Sequence, residues 1–284
     1  MLTEQQLKEK LQVLARNKFQ PAKNEDLSEL IPAMLTYIGS TDSDLRDELI
    51  YSAFGTWILH DKRLSQEQLH QLLPIVLDER HMFYGLGGQD TDSVFTRSFS
   101  ILLLPLLLIA HRAQPFMSVA EVHEVKEKLL DYLAREKDLR GFVSEKGWAH
   151  AVAHSADALD DLVQCVEMEH ADLAAVLVAI RDVVCATRMG YTHLEDERLV
   201  TPVIALLNRQ LLPDALVTAW IESFAGRVQL IQTMPERLII RSNVKNFLQS
   251  LYFRLQWEPV TYKFESSINR TLQKINPFKK TEAE

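Results

Sequence analysis

The chain is 284 residues long, 47% hydrophobic and 25% charged, an ordinary globular composition with length enough for a sizeable core. Its formal net charge of −8 argues against an extended nucleic-acid surface, which needs a basic face. The two cysteines, Cys165 and Cys185, lie in apolar helical patterns, make no disulfide framework or Cys-rich metal motif, and fit a reducing, cytoplasmic setting.

Strand-like alternation is absent, and the elements read as helices throughout. Residues 3–16 form an N-terminal helix with Thr3 and Gln6 placed as a capping box, and with so polar a start no signal peptide is expected. Helices over 25–38 and 43–59 follow, separated by Gly39-Ser40-Thr41-Asp42. Ser65 caps a helix over 65–78. The break Gly85-Leu86-Gly87-Gly88 lacks the strand and lysine of a phosphate-binding loop and reads as a flexible connection. Residues 92–112 carry the apolar run 101–110, about half of the roughly twenty residues needed to span a bilayer. Arg97, His111 and Arg112 flank that run, so a helix buried on nearly all sides is expected, and no membrane partner. Ser118 opens a helix to residue 136; helices over 148–166, 171–188, 196–210, 213–233, 236–257 and 260–275 complete the set, ahead of a polar tail over 276–284.

Paired in order, the second helices begin near residues 43, 92, 148, 196 and 236, a separation of about 40 to 55 residues. The expected architecture is therefore all-α, a single domain over residues 1–275. It is built either as a helical-repeat solenoid of HEAT or armadillo type or as an irregular multi-helix array.

The most informative stretch runs from Arg140 to Asp161. On a continuous helix with His150 at zero, His154 falls near +40°, Asp157 near −20° and Asp161 near +20°, a stripe roughly 60° wide. Trp148, Val152, Leu159, Leu162 and Val163 gather opposite, on a core-facing side, and Ala149, Ala151, Ala153 and Ala158 flank the stripe. A solvated face is usually furnished with Lys, Glu, Gln and Arg; His and Asp among alanines instead let a helix or ligand approach. The stripe reads as plain surface, as buried imidazoles satisfied by carboxylates such as Asp157 and Glu195, or as a metal or acid–base site. His150 and His154 at i and i+4 can both reach one metal ion, but the glutamate a zinc-protease helix needs after the first His is Ala151 here, and a fourth ligand would have to come from elsewhere. No metal and no cofactor are expected.

Polar residues also gather near the starts of the second helices: Arg46 and Asp47, Arg97, then Glu195 and Arg198. Capping and the helix dipole explain the acids there but not the arginines, which call for carboxylate partners or an anionic ligand. Together His150, His154, Asp157, Arg97, Glu195, Arg198, Asp47, Arg46 and Trp148 are the candidate lining of a groove.

Residues 42–57, Val94-Phe95-Thr96-Arg97-Ser98-Phe99-Ser100, Arg140-Gly141, Gly147-Trp148 with His150, His154 and Asp157, and Glu195 with Arg198 resemble the signature blocks of a bacterial family, domain of unknown function 2785. The resemblance covers most of the chain. It implies a bacterial, cytoplasmic protein, and it brings no activity. The chain carries no dinucleotide fingerprint, nucleophile elbow or reactive-cysteine context. The expected function is a binding or scaffolding module for a peptide, a protein or a small anion. The alternatives are a metal-dependent hydrolase or lyase using the His/Asp stripe, and a structural protein with a satisfied polar core.

Overall fold

The structure, a computed structural model, describes residues 2–20, 27, 29–258 and 263–279. Local signals place most helices. Thr3 and Gln6 close the capping box of α1 (Glu4–Arg16), Ser65 and Gln68 that of α4 (Gln66–Val76), and Ser118 and Glu121 that of α6 (Val119–Arg135). Each box satisfies otherwise orphaned N–H groups at the helix start. Between them lie α2 (Leu30–Thr36) and α3, a continuous helix of a π-helical stretch Asp44–Tyr51, one α turn Ser52–Gly55 and a second π-helical stretch Thr56–His60.

The apolar run lies within α5 (Ser93–Ala113), buried along nearly its whole length. Among the described residues α5 is long and apolar enough to cross a membrane, but 78% of its most apolar window is buried inside the protein, as in a core helix. Its serines cap themselves inward: Ser100 Oγ donates to the Thr96 carbonyl at 2.7 Å, so the hydroxyl enters the core already satisfied.

The chain departs from the all-helical expectation at one point. Phe142–Val143 (β1) pairs antiparallel with Gly147–Trp148 (β2), Phe142 opposite Trp148. The helix expected over 148–166 is α7, Ala151–Val163. The hairpin wins because α7 starts only after His150, at φ 47° and ψ 36° in the left-handed region. Histidine is among the residues that tolerate that region better than most.

Four helices follow: α8 (His170–Val184), α9 (Glu195–Asn208), α10 (Asp214–Leu230) and α11 (Glu236–Trp257); α12 (Glu265–Ile275) is the last. The expected helix starts at residues 25 and 260, and the tail end over 280–284, lie outside the described residues. The residues read as one helical domain fall into two compact units, Met1–Glu167 and Met168–Glu284. In the first, α5 packs along α7 and also against α3 and α4, and α6 packs against α7. In the second, α9 packs on α11 and α10 on α12, with α8 against α9, α10 and α11. Among the described residues the chain is all-α apart from one short hairpin.

Candidate functional site

The candidate residues of the first unit are organised by two buried guanidinium groups. Arg46 and Arg97 are both fully buried, although arginine is rarely so unless paired. Arg97 forms a bidentate pair with Glu136: Nε donates to Oε2 at 2.7 Å and Nη2 to Oε1 at 3.0 Å. Its Nη1 donates to the carbonyls of Tyr84 and Gly85, at 2.9 and 3.1 Å, and to Ser93 Oγ at 2.8 Å. The Tyr132 hydroxyl and the backbone N–H groups of Lys137 and Asp138 donate to Glu136 in turn. Burial pulls the Arg97 guanidinium down, but the hydrogen bond and charge of Glu136 outweigh it and leave its pKa above the ordinary value. Burial and the Glu136 charge push the Tyr132 phenol well up. Each of the three guanidinium nitrogens of Arg97 is hydrogen-bonded within the protein.

Arg46 works on the hairpin. Nη1 donates to the Ser40 carbonyl at 2.6 Å and Nη2 to the Lys146 carbonyl at 2.8 Å. The guanidinium carbon lies 4.4 Å from the Phe95 ring centre and 4.6 Å from that of Phe99, a cation–π contact with two rings of α5. Its Nε stands 2.8 Å from Asp47 Oδ1, at an angle too poor for a hydrogen bond, so charge attraction holds that contact. Burial lifts the Asp47 carboxyl to about 6 against the opposing pull of Arg46.

Two glycines let these contacts close. A Cβ on Gly39 would lie 2.6 Å from the Thr96 Cα, so only glycine lets the chain ahead of α3 touch α5. Gly147, at φ 79°, would carry a Cβ 2.8 Å from that of Ser43. Arg140 adds a third tether. Its Nε and Nη2 clasp buried Asp138 at 2.8 and 2.7 Å, and its Nη2 also reaches the Thr91 carbonyl at 2.8 Å. The strands continue past β1 and β2: Ala149 N–H donates to the Gly141 carbonyl at 2.8 Å and His150 N–H to that of Arg140 at 3.1 Å. Ala149 and Ala151 seat the hairpin against Val94 and Phe95, with Val143 packed beside them.

The clamp presents a row of rings. Trp148 stacks on His150 with centroids 4.3 Å apart and planes 22° from parallel, and Phe142 meets the indole edge-on at 5.0 Å. The His150 ring meets that of His154 edge-on at 5.9 Å, and His154 meets Phe99 at 4.9 Å. His154 is buried, and its Nδ1–H donates to the Ser98 carbonyl at 3.2 Å. Phe142 is 53% and Trp148 39% exposed, so the outer end of the row faces solvent. This corrects the helical placement: Trp148 belongs to the hairpin, not to the core face of α7, and His150 precedes the helix instead of sharing its stripe. Val152, Leu159, Leu162 and Val163 do fill the core side of α7, and all four flanking alanines are buried.

Asp157 is half-buried on α7. With Asp161 it adds charge beside Asp160, whose carboxyl burial raises first of all, to about 6. Asp161 is paired with Arg112 Nη2 at 2.6 Å.

Glu195 and Arg198 belong to the second unit. Glu195 is buried at the start of α9 and accepts from the His193 N–H at 2.8 Å. Arg198 is half-buried one turn later. The polar anchor of this unit is Asn243 of α11, buried, whose Oδ1 accepts from Tyr191 N–H at 2.9 Å. Its Nδ2 donates to the carbonyls of Met189 and Ala186 at 3.0 and 3.2 Å.

Sequence reasoning missed Glu136, Asp138, Phe142 and Phe99 as parts of the site. The signal available for Glu136 was the unexplained cation at Arg97; for Phe142 it was an aromatic opposite Trp148 across a short Gly-bounded segment. Among the described residues no three His, Cys, Asp or Glu side chains converge on a position that would hold a metal ion.

Comparison with curated proteins and with solved structures brings no match. A family described as a protein of unknown function, DUF2785, matches residues 82–253, which is more than half of the chain and spans α5, the clamped hairpin, α7 and the Asn243 anchor. The chain belongs to that family.

Proposed function

We propose that this protein is a binding module whose recognition surface is the aromatic–imidazole row on the 140–150 hairpin, with a peptide segment of a partner protein as its ligand. One observation carries the reading. Phe142 and Trp148 are exposed aromatics on a hairpin immobilised by Arg46 and Arg140, so contact area is offered at little cost in ordering. The buried arginines are engaged internally, which leaves ring faces, not cations, as the available recognition chemistry.

Helices that pack on the next but one along the chain, α5 on α7 and α9 on α11, support a helical-repeat array of HEAT or armadillo type as the scaffold. The net charge of −8 and the free, buried Cys165 and Cys185 support a cytoplasmic protein that does not bind nucleic acid.

The test is selection of displayed random peptides on the immobilised chain, with the Phe142→Ala/Trp148→Ala double variant as counter-target. Peptides whose affinity falls by about 10-fold or more on the double variant support the reading, as expected for aromatic anchors. Enrichment of no peptide that distinguishes the two proteins sinks it.

A further inference from the structure

Helix α11 has two faces. Ile240, Val244, Phe247, Leu248, Leu251 and Leu255 are buried in the second unit. Leu238, Arg241 and Lys245, at helical spacings of three and four, form a separate stripe. That stripe lines one wall of a cleft of about 470 Å³, within the range of about 300–1,000 Å³ usual for small-molecule sites. Leu272 and Ile275 of α12, with Phe278 just beyond it, line the other wall. Asn276 Oδ1 accepts from Phe278 N–H at 2.9 Å, and Lys279 Nζ donates to Gln273 Oε1 at 3.0 Å, which fixes the turn that carries Phe278.

The lining is amphipathic. Leu238 is 53% and Phe278 89% exposed, so apolar surface stands uncovered. The lining holds two cations, and among the described residues no carboxylate lines the cleft. Among the described residues Arg241 Nε is buried and meets no hydrogen-bond acceptor. A guanidinium with an unsatisfied buried donor is costly, and an anion in the cleft that Arg241 lines would stabilise the group by its charge. In a chain whose acids outnumber its bases by eight, a cleft whose described charged residues are the cations Arg241 and Lys245 is matched to negative charge.

We propose that this cleft binds a free medium-chain aliphatic carboxylate. Its head lies on Arg241 and Lys245, and its tail lies against Leu238, Leu272, Ile275 and Phe278. The site is independent of the aromatic row on the hairpin.

The experiment is calorimetric titration of the full chain with decanoate, octanoate and decanol, all below micelle-forming concentrations. Decanoate is expected to saturate one site per chain, and octanoate to bind about 15-fold more weakly, since each of the two lost methylenes costs roughly 4-fold. The Arg241→Gln/Lys245→Gln variant should weaken decanoate by about 10-fold or more while changing decanol little, because only the charge-assisted contacts are removed. Ser242→Trp, which keeps both cations and fills the cleft, should abolish binding. Circular dichroism melts of these surface variants establish that they fold. Absence of saturable decanoate binding would overturn the proposal, as would binding indifferent to both variants. Binding of an acidic amphipathic peptide or of phosphatidylglycerol vesicles that decanoate fails to displace would overturn it in favour of a protein or lipid surface.

Discussion

The 136–150 segment of the first unit and the 186–191 loop of the second are both held by buried polar side chains aimed at backbone carbonyls, but with opposite chemistry. The first uses charge: Arg46 reaches Ser40 and Lys146, and Arg97 reaches Tyr84 and Gly85 while gripping Glu136. The second uses a neutral amide, with Asn243 making three hydrogen bonds to Ala186, Met189 and Tyr191. A guanidinium has five donors and a long stem, so one side chain can bind several separate segments. That reach has a condition, because a buried cation needs a buried counter-charge or a π face, which Glu136, Phe95 and Phe99 supply. An amide needs neither and suits a short loop. The charged clamp should therefore be the more fragile when one partner is removed.

The largest effect is expected at Arg97. Arg97→Met leaves Glu136 buried without its cation and should cost about 3–5 kcal/mol in urea unfolding. A cost under about 1 kcal/mol would mean that the pair behaves like a surface salt bridge and would erase the contrast with Asn243. Arg46→Met should cost about 2–3 kcal/mol, through unsatisfied carbonyls at Ser40 and Lys146 and the lost ring contacts. Its signature is faster hydrogen exchange at the amides of Ala149 and His150, with α9 and α11 unchanged. Asn243→Ala should cost less, about 1–2 kcal/mol, and its exchange signature should fall on Tyr191.

A smaller effect concerns Asp160, whose folded carboxyl titrates near 6 against an ordinary value of 3.8. Between those values the folded state holds the proton and the unfolded state releases it, so this group's contribution to stability falls as pH rises from about 4 to about 6 and is flat above. Asp160→Asn should then stabilise the protein by about 1–2 kcal/mol at pH 8 and by almost nothing at pH 4. Equal melting-temperature changes at both pH values would refute the assigned burial cost. The smallest effect is at Trp148, where Trp148→Ala should cost about 1 kcal/mol, the scale of its ring contacts with Phe142 and His150. A large loss there would reassign the ring row from recognition to packing.

Much of the fold was legible from residues a few positions apart. The capping pairs Thr3/Gln6, Ser65/Gln68 and Ser118/Glu121 mark helix starts because both partners lie within one turn. The 3.6-residue apolar period sets α11 over the predicted 236–257 and buries the core side of α7. Even the puzzle of Arg97 was visible, since a cation near a helix start calls for a counter-charge. Its partner was not, because Glu136 lies 39 positions away and nothing local distinguishes it from the acids of α6 that precede it.

By itself, then, the sequence determined the helices, their order and the burial of α5, since these follow from short-range capping and apolar periodicity, and its signature blocks carried the resemblance to the family. Only the tertiary structure decided what happens between Arg140 and Ala151. A helical register through His150 was locally reasonable and is not adopted. Arg46, 100 positions from Lys146, binds that residue's carbonyl, Gly147 presses against Ser43, and Ala149 packs into the pocket at Val94 and Phe95. Those long-range contacts outweigh the helical preference of a few residues, because intrinsic propensity differs by less than about 1 kcal/mol per ordinary residue while a buried charged hydrogen bond is worth more.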